Sequence, residues 1–214
     1  MTRLSTKARS LNRTAPLRLA VLISGSGRTL ANLIAAHSRS EIPEIGLVVS
    51  SKPDVRGLAI AAEAGIPSAT VQRSTFASDT DFSRAIYDLA MERNIDLLIC
   101  AGFLKRLVVP PVWTDRILNI HPALIPESAA AGEGFYGDRV HAAVLAAGLT
   151  ESGATVHVVD NEYDHGPVVL KQIVPVLPGD TAQDLAARVF AAECLLYPRA
   201  IATHIANRPD LFNR

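Results

Sequence analysis

Residues 17–29, LRLAVLISGSGRT, join a mainly apolar run to a glycine-rich turn and the start of a helix-like segment. The run 17–23 lacks the alternation of apolar and polar residues found in a strand with one wet face, so it is typical of a strand covered on both faces. The two glycines that follow it allow a sharp backbone turn. This stretch therefore predicts the first strand and helix of an α/β protein with a parallel sheet.

The same order of strands and helices continues to about residue 120. Buried strands are predicted at 17–23, 45–49, 69–72, 96–100 and 116–120, and helices at 29–37, 54–64 and 79–94. Asp54 is the expected N-cap of the second helix, and Gly65 is its expected end. Because β-α-β crossovers are right-handed, this order predicts an open, mostly parallel, doubly wound sheet with a Rossmann-type first half.

The second half of the chain has a different pattern. A helix is predicted at 140–147, β-rich runs at 155–159 and 168–176, and a long helix at 182–206. Asp180 or Thr181 is the expected cap of the long helix, and Pro198 is expected to kink or divide it because proline lacks a backbone N–H. We therefore expect one domain over 17–206 with a C-terminal strand–strand–helix finish, a disordered basic tail over 1–16 and a C-terminal tail over 207–214.

The composition is that of a folded chain with neither a membrane span nor a disulfide framework. Hydrophobic residues make up 49% and charged residues 20% of the 214 residues. The longest apolar run, 97–104, is far shorter than the ~20 residues that a membrane span needs. Cys100 and Cys194 form no Cys-x-x-Cys pair, which favours a reducing compartment. We therefore expect a soluble, cytoplasmic protein without a membrane partner.

Charge is unevenly distributed, although the formal net charge is zero. Residues 1–40 carry seven Lys or Arg and no acid, which leaves the remainder with a net charge of −7. Proteins that bind nucleic acid usually present a basic face. The acidic body of this chain therefore argues against a nucleic-acid partner.

A candidate anion site follows the first strand, at Gly25, Ser26, Gly27, Arg28 and Thr29. Glycine lets a ligand approach the backbone closely, and a helix N-terminus offers free N–H groups to a phosphate. A dinucleotide site is less well supported, because Leu30 replaces the third glycine of Gly-x-Gly-x-x-Gly and Lys52 follows the second strand where an acid is needed. The alternative is a tight turn that only starts a helix capped by Thr29.

Asn119 and His121 form a second candidate site, at the end of the fifth predicted strand. Side chains at i and i+2 of a strand point the same way, and open α/β sheets bind ligands at the carboxyl ends of their strands. An amide beside an imidazole can stabilise a carbonyl oxygen that becomes negative. Asp164, in the acidic turn 160–167, would orient His121, stabilise its protonated form and accept a proton. The alternatives are a histidine held by backbone groups and a turn whose polar residues serve its own conformation.

Three other kinds of active site have little support in the sequence. It contains neither His-Glu-x-x-His nor His-x-His for a metal, and no Gly-x-Ser-x-Gly for a serine hydrolase. Cys100 lies in a buried run, where packing is a more common role than nucleophilic catalysis. We therefore expect chemistry without a metal or a covalent intermediate.

Taken in order, these motifs resemble those of the glycinamide ribonucleotide formyltransferases, a folate-dependent formyltransferase family, over residues 18–206. The matching stretches are VLISGSG (21–27), CAGF (100–103), LNIHPALIP (118–126) and DHGP (164–167). Asn-Ile-His-Pro with a downstream Asp-x-Gly-Pro is quite specific to folate-dependent formyl transfer. The resemblance implies transfer of a formyl group from 10-formyltetrahydrofolate to the amine of glycinamide ribonucleotide in purine biosynthesis. The active form is expected to be a monomer or a homodimer.

The resemblance also implies roles for single residues. Asn119, His121 and Asp164 match the family's catalytic trio. The ribonucleotide site corresponds to Gly25, Ser26, Gly27, Arg28, Thr29 and Glu193, although Glu193 could instead belong to a solvated helix face. The folate site corresponds to Leu104, Lys105, Arg106, Leu107, Asn119, Asp160, Asn161, Glu162 and Tyr163.

The sequence departs from the family pattern in three places. Thr29 stands where many relatives have Asn, and Asp79 stands where many have a basic residue, a loss for which Arg73 or Arg84 could compensate. The segment 127–133, ESAAAGE, is small and acidic where relatives have a glycine-bearing, often basic loop. The departure at 127–133 bears on substrate affinity more than on the type of reaction.

Four other functions remain open at this point. A formyltetrahydrofolate hydrolase usually carries an N-terminal regulatory domain, and a methionyl-tRNA formyltransferase usually adds a C-terminal RNA-binding domain; neither domain is expected here. A non-catalytic nucleotide- or folate-binding module is opposed by the intact trio. A nicotinamide-dependent reductase is opposed by Leu30 and Lys52.

Overall fold

The computed structural model describes residues 16–125 and 137–212, in which seven strands form one mixed sheet. The strands are β1 (Arg18–Ile23), β2 (Glu44–Ser50), β3 (Ser68–Thr70), β4 (Leu97–Cys100), β5 (Ile117–His121), β6 (Glu151–Val158) and β7 (Val168–Pro175). Their order across the sheet is β3-β2-β1-β4-β5-β6-β7. Pairs among β1 to β5 are parallel, whereas the β5–β6 and β6–β7 pairs are antiparallel. The predicted open, mostly parallel sheet with a strand–strand–helix finish is confirmed.

Helices cover both faces of the sheet. Within the described ranges they are α1 (Arg28–Ser38), α2 (Arg56–Glu63), α3 (Asp79–Glu92), α4 (Asp138–Ala146), α5 (Ala182–Asn207) and α6 (Pro209–Phe212). Leu19, Val21 and Ile23 of β1 lie in the core layer shared with α1, α4 and α5, whereas Ala20 and Leu22 lie in the opposite layer with α3. All five side chains are fully buried. This two-sided burial explains the mainly apolar sequence of β1.

The fold brings the candidate segments to one edge of the sheet. From β1 the strands β2 and β3 extend the sheet in one direction, and the chain then crosses back to place β4 on the other side of β1. Open α/β proteins bind ligands at such a switch point, outside the carboxyl ends of the strands. β1 ends at Ile23, β4 at Cys100 and β5 at His121. The turn after β1, the segment after β4 and the end of β5 therefore share this edge.

The start of α2 differs from the prediction. Its N-cap is Val55, which makes no side-chain capping hydrogen bond, whereas Asp54 has a φ of +51°. Aspartate tolerates this left-handed conformation, and here it forms a turn before the helix instead of a cap. Gly65, with a φ of +67°, ends the helix as predicted.

Of the two predicted effects of Pro198, a kink or a division of the helix, the division does not occur, because α5 runs unbroken through this residue. A proline at this position leaves the carbonyl oxygen of Cys194, one helical turn earlier, without its usual N–H partner. The side-chain Nδ2 of Asn32 on α1 donates a hydrogen bond to this oxygen at 2.9 Å. Because the neighbouring helix satisfies the carbonyl, α5 continues as one helix.

Two other boundaries differ from the prediction. β6 begins at Glu151, before the expected start at 155, because its first residues pair with β7 from Glu151 opposite Pro175. The expected C-terminal tail, 207–214, contains α6, whose Phe212 is 5% exposed and packs in the core layer of α5. Residues 1–15, 213–214 and the segment 127–133 lie outside the described residues. Of the helices within 16–125 and 137–212, none is long and apolar enough to cross a membrane.

Candidate active site

The glycine-rich turn after β1 is held by close backbone packing. Gly27, with a φ of +74°, is the N-cap of α1, whereas Thr29 lies inside the helix and does not cap it. A Cβ atom added to Gly27 would lie 2.6 Å from the Cα of Gly57, so no larger residue fits there without movement. The Gly57 N–H also donates a hydrogen bond to the carbonyl oxygen of Gly25 at 3.2 Å. The turn is therefore fixed against the start of α2.

The N-terminus of α1 carries no side-chain capping hydrogen bond. The N–H of Ala31 donates to the carbonyl oxygen of Gly27 at 2.9 Å, so the N–H groups of residues 28–30 precede the helical ladder. Such N–H groups and the positive end of the helix dipole attract an anion. The expected ribonucleotide segment thus has the chemistry of a phosphate site.

Ser24 connects the ends of three strands beside this turn. Its Oγ lies 2.6 Å from the Oγ of Ser51, which follows β2. The same oxygen accepts a hydrogen bond at 2.9 Å from the N–H of Leu104, which follows β4. Because both serines are buried, these bonds fix the carboxyl edge of the sheet where the candidate segments lie.

A cluster of polar side chains lies where β5 pairs with β6. The antiparallel register sets His157 opposite Asn119 and Thr155 opposite His121. The Nδ2 of Asn119 lies 3.1 Å from the Nε2 of His157. The carboxylate of Asp164 approaches both rings, at 3.4 Å from the Nδ1 of His121 and 3.4 Å from the Nε2 of His157. The expected contact between His121 and Asp164 is therefore present.

His157 links the amide to the carboxylate. Its Nδ1 lies 3.0 Å from the carbonyl oxygen of Val158, and a carbonyl only accepts, so we assign the hydrogen of the neutral ring to Nδ1. In the neutral ring, Nε2 then accepts a hydrogen bond from Asn119. In the protonated ring, Nε2 donates to Asp164. Both histidines are buried, so water does not screen these contacts.

Sequence reasoning did not select His157. The available signal was one polar residue in the apolar run of β6, which by itself is typical of a histidine satisfied by backbone groups. Its partner Asn119 is distant in sequence and is identified only by the register of β5 against β6.

The turn that carries Asp164 packs tightly on the end of β6. Asp164 has a φ of +52°, a left-handed conformation that is costly for a residue other than glycine. A Cβ atom added to Gly166 would lie 1.9 Å from the carbonyl oxygen of Val158. The N–H of Val158 donates a hydrogen bond to the carbonyl oxygen of Pro167 at 2.9 Å. This close backbone contact holds Asp164 in its unusual conformation.

Asp160 stabilises the same turn at its N-terminal end. Its Oδ1 accepts a hydrogen bond from the N–H of Glu162 at 2.8 Å, and its Oδ2 lies 3.0 Å from the Nδ1 of His165. The hydrogen bond with Asp160 and the charge of Glu162 raise the pKa of His165. Partial burial acts to raise the pKa of Asp160, but the hydrogen bonds from His165 and Glu162 lower it on balance. The charged forms of both side chains therefore stabilise the turn.

A pocket lies between this turn, the segment after β4 and the ends of β5 and β6. Its walls include Asn119 and Asp164 and most residues expected for the folate site, namely Lys105, Arg106, Leu107, Asp160, Asn161, Glu162 and Tyr163. Cys100, Phe103, His157 and Val159 also line it. Leu104 does not; the residue is 50% exposed, and its backbone N–H is bonded to Ser24.

The pocket combines apolar walls with fixed polar groups. Asn161 is held by the N–H of Val109, which donates to its Oδ1 at 2.8 Å, and by Arg106, whose Nη2 donates to its carbonyl oxygen at 3.2 Å. Burial raises the pKa of Cys100 to about 12, so its thiol stays neutral and is a poor nucleophile. Basic Lys105 adds a positive charge to the wall. This lining suits a partly apolar ligand with hydrogen-bonding edges.

The two arginines considered as replacements for a basic residue at Asp79 are paired with acids. The Nε of Arg73 donates to the Oδ1 of Asp79 at 2.5 Å, and its Nη1 donates to the carbonyl oxygen of Phe76 at 2.8 Å. Arg84 pairs with Asp81. Their charges therefore stabilise the region around the start of α3, and neither lines the pocket.

Glu193 lies on α5 and is only partly exposed, which argues against a fully solvated helix face. Burial raises its pKa to about 7, although the positive charge of Arg28 acts in the opposite direction. The positive charge of Arg28, at the N-terminus of α1, therefore acts on the carboxyl group of Glu193 on α5. Within residues 16–125 and 137–212, no group of three or more His, Cys, Asp or Glu side chains is suited to hold a metal ion.

The chain matches known formyl transferases in sequence and in structure. The family model described as "Formyl transferase" matches residues 17–201. A phosphoribosylglycinamide formyltransferase of Haemophilus influenzae is 37% identical over 189 residues, which cover 86% of this chain and 85% of that protein. A trifunctional purine biosynthetic protein adenosine-3 of Drosophila pseudoobscura pseudoobscura is 41% identical over 195 residues, but the match spans only 13% of its length.

A solved structure gives the same relationship. The crystal structure of glycinamide ribonucleotide transformylase 1 from Symbiobacterium toebii superposes with a TM-score of 0.82 at 34% sequence identity, covering 90% of this chain and 89% of that one. The sheet order and the polar cluster at its carboxyl edge are thus accompanied by a family match over most of the chain, and the protein belongs to the formyl transferase family.

Proposed function

We propose that this chain transfers the formyl group of 10-formyltetrahydrofolate to the primary amine of glycinamide ribonucleotide, a step of purine biosynthesis. The observation that carries the proposal is the cluster in which Asp164 contacts the buried rings of His121 and His157 and Asn119 contacts His157. Asn119, His157 and Asp164 also line the pocket. The relatives named for this activity, among them the Haemophilus influenzae enzyme, support it.

The lining of the pocket fits the formyl donor. Phe103, Leu107 and Val159 offer apolar surface to a flat heterocycle, and the turn 160–164 offers hydrogen-bonding groups to its edge. Lys105 supplies a positive charge for an acidic tail. When bound, 10-formyltetrahydrofolate supplies a formyl carbonyl carbon that an amine can attack.

Asn119 and His121 stabilise the negative charge that develops on the formyl oxygen. The amide of Asn119 carries two N–H groups, so it can contact His157 with one and the oxygen with the other. Protonated His121 adds a charged donor, which is stronger than a neutral one. Because His121 is buried and contacts Asp164, and Asn119 is held by its contact with His157, the donors need little reorganisation during the reaction.

Asp164 is the proton acceptor for the attacking amine. The amine attacks as a neutral base, and the new C–N bond leaves its nitrogen positively charged. Asp164 accepts a proton from this nitrogen, directly or through a water molecule, and its charge stabilises protonated His121. His121 then donates a proton to the folate nitrogen as that C–N bond breaks, so one proton is taken up and one is released.

The turn 25–29 and Glu193 hold the ribonucleotide. The uncapped N-terminus of α1 and the Arg28 guanidinium bind the phosphate, as the chemistry of a helix N-terminus favours. Glu193, on the facing helix, contacts the remainder of the ribonucleotide. We also propose a cytoplasmic location and a monomeric or homodimeric active form, without nucleic-acid or membrane partners.

A spectrophotometric assay with a 10-formylfolate donor, run with and without glycinamide ribonucleotide, tests the function and the roles. We expect turnover only when the ribonucleotide is present, and we expect His121→Ala and Asp164→Asn each to lower kcat by about 10²-fold or more. His37→Ala, at an exposed position near the end of α1, is the matched control and should retain turnover.

Each alternative outcome has a distinct meaning. Folate release without the ribonucleotide would identify a hydrolase, and no turnover at all would favour a binding module. Near-normal kcat in a folded His121→Ala or Asp164→Asn variant would contradict the assigned roles.

A further inference from the structure

The guanidinium of Arg28 lies over the ring of Phe190. Its Cζ is 3.7 Å from the ring centroid, which is the geometry of a cation–π contact. Arg28 is the first residue of α1, and Phe190 belongs to α5. The contact therefore joins the proposed phosphate site to a helix that is distant in sequence.

A second contact holds the same two helices one turn further along each. Asn32 on α1 donates its side-chain hydrogen bond to the carbonyl oxygen of Cys194 on α5, which Pro198 leaves free. Residues one helical turn apart lie on the same face of a helix. The ring contact at Arg28 and the hydrogen bond at Asn32 therefore fix α1 against α5 and keep the ring beneath the guanidinium.

The chemistry of arginine gives this ring a specific consequence. A ring that covers one face of a guanidinium leaves the N–H groups at its edge directed outward, in the planar fork that matches two phosphate oxygens. Without the ring, an exposed arginine side chain must be ordered when the anion binds, and this ordering weakens binding. Lysine in place of arginine would have neither the flat face nor the fork.

We propose that Phe190 is a positioning residue for the ribonucleotide phosphate and that it acts through Arg28. The inference rests on the proposed function. Phe190 touches no reacting atom; it holds the guanidinium of Arg28 at the N-terminus of α1, where the backbone N–H groups of the turn also meet the phosphate.

Steady-state kinetics on the full chain test this role. Phe190→Leu removes the ring and keeps an apolar side chain, whereas Phe190→Tyr keeps the ring. Arg28→Met removes the cation, and Arg28→Lys keeps the charge without the planar face. Leu195→Ala, at a 70% exposed position of the same helix, is the control. Ribose 5-phosphate, which has the phosphate and sugar without the amine, is used as a competitive inhibitor.

Phe190→Leu should raise the KM for glycinamide ribonucleotide and the inhibition constant of ribose 5-phosphate by about threefold to tenfold, while kcat and the KM for the formyl donor stay the same. Phe190→Tyr should restore the original KM. In the Arg28→Met background, Phe190→Leu should cause no further rise in the KM for glycinamide ribonucleotide. A residue with a merely structural role would raise this KM in both backgrounds.

Two outcomes with Phe190→Leu overturn the inference while leaving the proposed function intact. One is an unchanged KM in Phe190→Leu; the other is the same rise in KM with and without Arg28. If Phe190→Leu does not fold, Arg28→Lys is the deciding variant. An unchanged KM for glycinamide ribonucleotide in Arg28→Lys also overturns the inference. Absence of formyl transfer in the unsubstituted chain overturns the proposed function and the inference with it.

Discussion

At the scale of single residues, Glu193 is a carboxyl group whose surroundings disfavour its charge. Burial raises its pKa from the ordinary 4.5 to about 7, and Arg28 opposes this rise only in part. A folded-state pKa above the unfolded value means that the folded chain binds the proton more tightly. The contribution of Glu193 to stability is therefore full below about pH 4.5 and is lost as the pH rises to about 7.

Glu193→Gln should remove this pH dependence. The free energy of unfolding of the unsubstituted chain, relative to that of the variant, should fall between pH 4.5 and 7 and stay constant above pH 7. Urea denaturation at a series of pH values measures the difference, and other titrating groups cancel because both chains carry them. A difference that does not change with pH would show that the carboxyl group titrates at its ordinary value.

At the scale of elements, the turn 160–167 shows how far the sequence predicts the site. Its Asp, Asn, Gly and Pro residues identify a turn, and the family resemblance singles out Asp164. The left-handed conformation of Asp164 and its contact with His157 depend on how the turn packs on β6. That packing is set by strand register, which local composition does not encode.

The strand boundaries illustrate the same limit. β1, β2 and β4 lie within one or two residues of the predicted runs, because burial on both faces makes them continuously apolar. β6 starts earlier than predicted because its first residues, ESGA, have low β propensity and become a strand only through pairing with β7. Sequence thus predicts the elements whose signal is their own burial.

Gly166→Ala should lower activity through the position of Asp164. The added Cβ would meet the carbonyl oxygen of Val158 at 1.9 Å, so the turn must move away from β6. A displacement of about 1 Å in a catalytic group can cost ~10²-fold in rate, and we expect a fall of that size in kcat. The spectrophotometric formyl-transfer assay measures it.

Gly148→Ala is the control for this substitution. Gly148 has a φ of +64° with open space around its Cβ position, so alanine there brings backbone strain without a steric clash. It should lower the thermal midpoint and leave kcat unchanged. If both variants lose the same stability and both keep kcat, the turn does not position Asp164.

At the scale of the whole molecule, α5 connects the α1 side of the fold to the strands that carry the candidate site. The hydroxyl of Tyr197 donates to the carbonyl oxygens of Cys100, at 2.9 Å, and Leu118, at 3.1 Å. These residues belong to β4 and β5, next to the cluster of Asn119. Burial raises the pKa of Tyr197, so the hydroxyl keeps its proton and remains a donor.

The continuity of α5 is a property that only the tertiary structure reveals. Pro198 predicts a kink or a break from local rules, but α5 is not broken, and Asn32 on α1 satisfies the carbonyl that proline leaves free. The buried Tyr197 beside it then reaches the sheet. Helix propensity is thus overridden by contacts between elements far apart in the sequence.

Tyr197→Phe should test this connection. It removes one buried hydroxyl shared by two carbonyl oxygens and keeps the ring, so the free energy of unfolding should fall by about 1–3 kcal/mol. Because the ring still packs under β4 and β5, kcat should stay within about threefold of the original value. Tyr87→Phe, which removes a single bond to the carbonyl oxygen of Val108, is the comparison and should cost less stability. Urea denaturation measures the free energy of unfolding of both variants. If Tyr197→Phe loses no more free energy than Tyr87→Phe, α5 is held to the sheet by apolar packing alone.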